Sequence, residues 1–304
     1  MASVNADPHP LPTELERAIF EVAAVSWPRS IPKFMLVAWR VKTWLTPLLY
    51  RTLVVADDRD RDRGRYSRLP SIAADTLRSL IHSKSPTFFR DSVRHLSLIE
   101  PEAEDVSILT ACSAIENLWL GAHPSINILE INLPLKRLHC SLYSLFPDAS
   151  IDFTHRFFTS ITHLEIVNVA QNIEVEVWSA LTRLPHLTHL AFNSYSYLEM
   201  CLAILLTWEN LRALVILSLC DSGEKSLEQH NVPELAQEPR LVVIACSDFR
   251  EDWVRGATLG RDYWSQAEDF IAKRRSRKID PLEYYISEST RETLDSEAEP
   301  MPNP

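Results

Sequence analysis

The stretch VRHLSL, residues 93–98, places apolar residues at its first, fourth and sixth positions. The same spacing recurs in IENLWL at 115–120 and in LKRLHC at 135–140, and four further copies follow it. The middle residues of the seven copies are Leu96, Leu118, Leu138, Leu164, Leu190, Leu214 and Ile244. Successive middle residues are 20 to 30 residues apart. That period is typical of repeats in which one strand and one helical return form a unit of about 20–29 residues.

The segments between the copies fit the helical return. EVEVWSALTRLP places Val177, Leu181 and Leu184 at helical spacing, and YLEMCLAILL carries a second stripe of the same kind. The sequence therefore predicts an α/β fold, an irregular solenoid of about seven strand–helix repeats over residues 71–250.

Alternation along each predicted strand gives a set of candidate contacts for a target protein. The apolar residues of each copy point inward, so the residues before and after the middle one point to the opposite, concave face. Tryptophan and arginine are enriched at binding hot spots, which makes Trp119 and Arg137 the leading candidates. The full predicted set is Trp119, Arg137, His139, His163, Glu165 and His189. The alternative is a solvated strand face with no role in binding.

Helix signals precede the repeats. Thr13 and Glu16 have the spacing of a capping box, and Ser30 with Pro32 marks the start of a second helix that Pro47 is expected to end. The first helix carries an apolar stripe of Leu11, Leu15, Ile19 and Val22. A piece of this size buries too little area to fold alone, so it must pack on the repeats, on a partner, or on both.

The remaining segments complete a predicted domain organisation. Residues 1–10 are expected to be disordered, 11–55 form the helical module, and 56–70 form a charged linker. Residues 251–278 are predicted to be a helix that caps the C-terminal end of the array. Residues 279–304 are acidic and are expected to form a disordered tail.

Composition excludes several classes of function. A net charge of -10 over 304 residues argues against nucleic acid as the main partner. No apolar run is long enough to span a bilayer, so no membrane partner is expected and the location is cytoplasmic or nuclear. The five cysteines are widely spaced and indicate neither a disulfide framework nor a zinc site. Motifs for phosphate binding, a nucleophile elbow and a zinc helix are absent, so we expect no enzyme, no metal and no cofactor.

The N-terminal residues also carry a resemblance. LPTELERAIF at 11–20, then IPKFMLVAWRVKTWLTPLLYRTLVV at 31–55, resembles an F-box, and with the repeats the chain is similar to the F-box and leucine-rich-repeat proteins that are numerous in fungi. The resemblance implies a substrate-recognition subunit of a cullin-RING ubiquitin ligase of the SCF type, used in ubiquitin-dependent protein degradation.

By the same resemblance, the F-box-like helices bind a Skp-type adaptor and the leucine-rich repeats hold an unknown protein substrate. The implied adaptor-binding and helix-packing residues are Leu11, Pro12, Leu15, Ile19, Phe20, Leu36, Val37 and Trp39. The alternative is a leucine-rich-repeat interaction scaffold without a ligase connection, whose N-terminal helices only cap the array.

Overall fold

The structure is a computed structural model of the 304-residue chain. It describes residues 11–56, 69, 71–121, 127–146, 151–167, 175–195, 198–219 and 233–291. The predicted disorder of 1–10 and most of the predicted linker at 56–70 therefore lie outside the described residues.

A ten-stranded parallel sheet organises the molecule, with the strand order β10-β9-β8-β7-β6-β5-β4-β3-β1-β2. The strands are β1 (Thr52–Val55), β2 (Ser71–Ile72), β3 (His95–Leu98), β4 (Asn117–Leu120), β5 (Arg137–Ser141), β6 (His163–Val167), β7 (His189–Phe192), β8 (Ala213–Ser218), β9 (Leu241–Ala245) and β10 (Tyr285–Ile286). The predicted α/β class is confirmed, and each of the seven apolar patterns coincides with one strand, β3 to β9.

Eleven α-helices accompany the sheet in the described part of the chain. They are α1 (Thr13–Ser26), α2 (Ile31–Phe34), α3 (Trp39–Leu49), α4 (Ala74–Ser83), α5 (Phe88–Ser92), α6 (Val106–Ala111), α7 (Leu142–Leu145), α8 (Val175–Leu181), α9 (Leu198–Thr207), α10 (Phe249–Leu259) and α11 (Tyr263–Arg275). Among the described helices, none is long and apolar enough to cross a membrane.

The first face of the sheet packs against α4 to α9. The middle leucines of β3 to β7 are paired in register from strand to strand, and all are buried in one continuous core. Side chains from the helical returns, such as Trp178 and Leu181 of α8, fill the same core. The apolar pattern thus decides which residues of each strand face these helices.

The second face of the sheet is covered by α10 and α11. Trp253 and Val254 of α10 pack near β1 and β4, while Trp264 and Ile271 of α11 pack on β8 and β9. Gly260, with a φ of 70°, ends α10 and lets the chain turn into α11. The sequence predicted one capping helix at the end of the array, and the structure has instead two helices lying across the sheet.

The last apolar pattern has a different register from the predicted one. Leu241 and Val243 of β9 join the first-face core, whereas Val242, Ile244 and Cys246 join the core beneath α11. The prediction that Ile244 faces inward with Leu241 is wrong by one residue. The run LVVIAC is apolar throughout, so alternation gives no register there.

The N-terminal module follows the predicted helices with three local differences. Glu16 forms an ion pair with Arg40 of α3, and no side chain caps α1, so the predicted capping box at Thr13 is wrong. The second predicted helix is divided into α2 and α3 by a turn at 35–38. Pro47 lies inside α3 rather than ending it.

The segment after α11 is ordered as far as residue 291, contrary to the predicted disorder of 279–304. Tyr285–Ile286 form β10, which pairs with Val243 and Ile244 of β9. Arg291 is buried and forms an ion pair with Asp252 of α10. Residues 292–304 lie outside the described part of the chain.

Candidate functional site

Nine large apolar side chains of the N-terminal module are exposed, and Val22, Val25 and Trp27 are three of them. The other six belong to the set that the F-box resemblance implies, and each leaves between 54% and 86% of its surface open to solvent. We call this set the N-terminal apolar surface: Leu11, Leu15, Ile19, Leu36, Val37 and Trp39. Scattered exposed leucines are ordinary, whereas these six exposed apolar side chains lie within 29 residues of sequence.

The module has its own small core, so the exposed side chains are not needed to hold its helices together. Ala24, Ile31, Val41 and Leu45 are each at most 4% exposed and pack together. Phe20 joins this core at its edge, with its ring centroid 6.3 Å from that of Phe34. Internal packing and the outer apolar surface are thus carried by different residues.

An ion pair joins α1 to α3 beside the N-terminal apolar surface. The guanidinium of Arg40 donates from Nη2 and Nε to both carboxylate oxygens of Glu16, at 2.8 and 2.9 Å. The bidentate contact holds α1 against the start of α3.

The eight residues that the F-box resemblance implies for adaptor binding differ in their exposure to solvent. Six of the eight form the N-terminal apolar surface. Pro12 is also exposed, at the N-cap position of α1. Phe20 is half-buried against Phe34 and belongs mainly to the internal core.

The predicted target-binding residues are not on an open surface, which corrects the sequence-based expectation. Trp119, His139, Glu165 and His189 are each at most 6% exposed. Arg137 and His163 are half-buried at the starts of β5 and β6. All six lie on the face of the sheet that α10 and α11 cover, where polar and aromatic contacts join them to those helices.

Specific contacts join these side chains to the covering helices. The Arg137 guanidinium donates to Asp262 Oδ2 at 2.6 Å. Tyr263 donates its hydroxyl to Glu165 Oε2 at 2.8 Å. His189 Nε2 lies 3.1 Å from Glu268 Oε1.

Aromatic contacts fill the space between these polar ones. The His139 ring stacks on Trp119 with centroids 3.3 Å apart, and Trp119 contacts Trp253 edge to face. Trp253 donates its indole N–H to Asn117 Oδ1 at 2.9 Å. The residues chosen from the sequence as binding hot spots thus contact the protein itself.

Burial determines the protonation of the two stacked histidines. The rings of His163 and His189 are parallel with centroids 4.1 Å apart. Desolvation, together with the neighbouring His189 and Arg137, lowers the pKa of His163 to about 2. Desolvation also lowers the pKa of His189, although Glu268 acts in the opposite direction. Both rings are therefore neutral near pH 7.

The polar cluster around Glu165 has little room for a substrate. A void of about 20 Å³ lies between Arg137, His163, Glu165 and the residues of α10 and α11 that face them. That volume holds about one water molecule. Nδ1 of His139 lies 2.7 Å from Glu165 Oε2, but the ring is not oriented for a hydrogen bond.

Cysteine and metal chemistry have little support in the described residues. Cys112, Cys140, Cys201 and Cys246 are free and buried, and burial raises the pKa of each thiol. Cys220 lies outside the described residues. Across the described ranges, no group of three or more histidine, cysteine and acidic side chains is placed to hold a metal ion.

One feature that sequence reasoning missed is a cavity of about 980 Å³ between the N-terminal module and the sheet. Its walls come from the module, β1, β2, the first residues of β3 to β5, and α10. Arg51 and His95 are among its polar residues. The sequence indicates this cavity only through basic residues, such as Arg51 and Arg137, that directly precede or begin these strands.

Comparison with known proteins identifies no relative. No model of a protein family, no curated protein and no solved structure matches this chain. What the structure itself defines is an α/β protein with a ten-stranded parallel sheet, whose N-terminal helices expose an apolar surface.

Proposed function

We propose that the protein is a substrate-recognition subunit of a cullin-RING ubiquitin ligase, and that its N-terminal apolar surface binds a Skp-type adaptor. The single observation that carries the proposal is the exposure of Leu36, Val37 and Trp39 together with the α1 stripe. These are the residues that the F-box resemblance implies for adaptor binding. Desolvating such side chains on a partner is the main source of affinity in helix-mediated recognition.

The rest of the chain would then hold the target protein. We infer that the strand–helix units form an irregular leucine-rich-repeat array, because the strands β3 to β9 follow one another in the sheet at 20 to 30 residue intervals. Since α10 and α11 cover the second face, a target would contact the outer helices or the connections at the strand ends. Holding adaptor and target on one chain favours ubiquitin transfer through proximity.

The experiment that tests adaptor binding is co-purification of the full chain with a Skp-type adaptor. The variant Leu36→Ala/Val37→Ala/Trp39→Ala removes three exposed side chains and leaves the module core intact. We expect wild type to retain the adaptor and this variant to lose it, with an affinity at least 100-fold lower.

A matched control removes exposed leucines elsewhere. Leu206→Ala/Leu282→Ala truncates side chains that are 75% and 59% exposed outside the module. This control should bind the adaptor as wild type does. Failure of wild type to bind any Skp-type adaptor would overturn the ligase proposal and favour an interaction scaffold, in which α1 to α3 only cover the end of the sheet.

A further inference from the structure

The cavity between the N-terminal module and the sheet has the size of a small-molecule site. Ligand-binding cavities usually measure about 300–1,000 Å³, and this one measures about 980 Å³. It is bounded on one side by Ile31, Leu48 and Leu49 of the module and on the other by Leu53 and Ile72 of the sheet. Most of its wall is therefore apolar and suits a ligand with an apolar body.

The end of the cavity at the starts of β1, β4 and β5 is basic. It contains Arg51, Lys136 and Arg137, with Glu116 as the one acidic residue among the described lining residues, and Arg29 lines the wall on the side of the module. Lys136 lies 2.7 Å from Glu116, and Arg137 lies 2.6 Å from Asp262. Among the described residues, no carboxylate lies within ion-pair distance of Arg29 or Arg51. Within the described ranges, these two cations of the wall are therefore left without an ion-pair partner.

The histidine beside this basic end is consistent with a positive local potential. Burial and then the charges of Arg51 and Arg137 lower the pKa of His95 to about 4, against a smaller opposing effect of Glu116. Its ring is neutral near pH 7, and Nδ1 has no hydrogen-bond partner. An anion placed in the cavity would reduce the repulsion among these groups.

We propose that this cavity binds an amphipathic organic anion, with a carboxylate held by Arg51 near His95 and an apolar body lying between α3 and β2. The guanidinium of Arg51 forms the charge-assisted contact, and the leucine and isoleucine side chains of the two walls desolvate the apolar body. Because the cavity is shared by the module and the sheet, a bound ligand would fix their mutual packing. The proposal is independent of whether the N-terminal apolar surface binds an adaptor.

A nucleotide or a polyphosphate is a poorer occupant. Such ligands need several phosphate contacts from backbone N–H groups and cations, whereas most of this wall is apolar and two of its cations already have carboxylate partners. A single carboxylate can pair with Arg51, which has no ion-pair partner among the described residues. An apolar chain or ring matches the remaining volume.

Titration of the full chain with dodecanoate, below its micellar concentration, tests the proposal by calorimetry. We expect one molecule of dodecanoate per chain to bind to wild type. Dodecanol, which has the same body without the charge, should bind at least tenfold more weakly. Binding of several molecules per chain, or equal affinity for the alcohol, would indicate general surface adsorption and overturn the proposal.

Variants locate the site. Arg51→Gln removes an exposed guanidinium without affecting the core and should weaken dodecanoate binding at least tenfold. Arg183→Gln, an exposed arginine distant in sequence from the cavity walls, should leave the affinity unchanged. Ser71→Trp places a bulky side chain in the cavity and should abolish binding, with circular dichroism as a check of folding. Unchanged affinity in both Arg51→Gln and a folded Ser71→Trp would refute the assignment.

Discussion

Replacing Arg291 with alanine is expected to lower the free energy of unfolding by about 3–5 kcal/mol. The Arg291 side chain donates to Ala245 O at 3.0 Å and to Gln266 Oε1 at 2.7 Å, and it pairs with Asp252. Asp252 is 0% exposed. The alanine variant therefore leaves a buried carboxylate without its main cation, which costs more than the loss of the contacts alone.

The size of this effect should depend on pH. Burial raises the pKa of Asp252, and the Arg291 charge opposes that rise. Without Arg291 the folded-state pKa rises further above the unfolded value of about 3.9. The folded variant then binds a proton that the unfolded chain releases. Its stability deficit is smallest at acidic pH and grows as the pH rises through the folded-state pKa of Asp252.

Urea unfolding of both proteins at pH 5.0 and pH 7.5 measures the deficit. Arg275→Ala, which truncates an exposed arginine at the end of α11, is the matched control and should change stability by less than about 0.5 kcal/mol. A deficit for Arg291→Ala below about 1 kcal/mol at pH 7.5 would show that the segment after α11 adds little to the fold.

Three further predictions concern the core, the stacked histidines and the buried tyrosine. Leu45→Ala should cost about 2–5 kcal/mol by urea unfolding, whereas Leu36→Ala, at an 86% exposed position, should cost less than about 0.5 kcal/mol. Because the pKa of His163 is lowered to about 2, wild type should lose about 1.4 kcal/mol per pH unit relative to His163→Phe as the pH falls from 6 to 4, measured by unfolding at each pH. Tyr263→Phe should cost about 1–3 kcal/mol by the same assay, because Glu165 loses a buried donor.

The strands were predictable because their signal is local. Each of the seven copies has apolar residues that must face one core, and a strand with its return helix satisfies that need within 20 to 30 residues. The exposed side chains of α1 to α3 were likewise identified from their spacing and from the F-box resemblance. Their exposure could be known only from the structure. An apolar stripe on a helix can pack against the same chain or against a partner, and the sequence does not distinguish these two cases.

The covered second face was not predicted because it depends on contacts between distant parts of the chain. Trp119, His139 and Glu165 alternate with apolar residues and have the pattern of a solvated face. The sequence nevertheless contains one indication that this face is covered. Ala191, Ala213 and Val215 lie on that same face and are apolar. The C-terminal helices also carry several large aromatic residues. Trp253, Tyr263 and Trp264 pack against that face of the sheet and bury it.

The position of α10 and α11 has a consequence for the order of folding. Trp253 contacts Asn117 across 136 residues, and Asp262 contacts Arg137 across 125. During synthesis, strands β3 to β7 emerge long before these helices, so their second face stays in contact with water until α10 and α11 follow. Contacts of such long range slow folding. We therefore expect the packing of α10 and α11 on the sheet to be the slow step of folding.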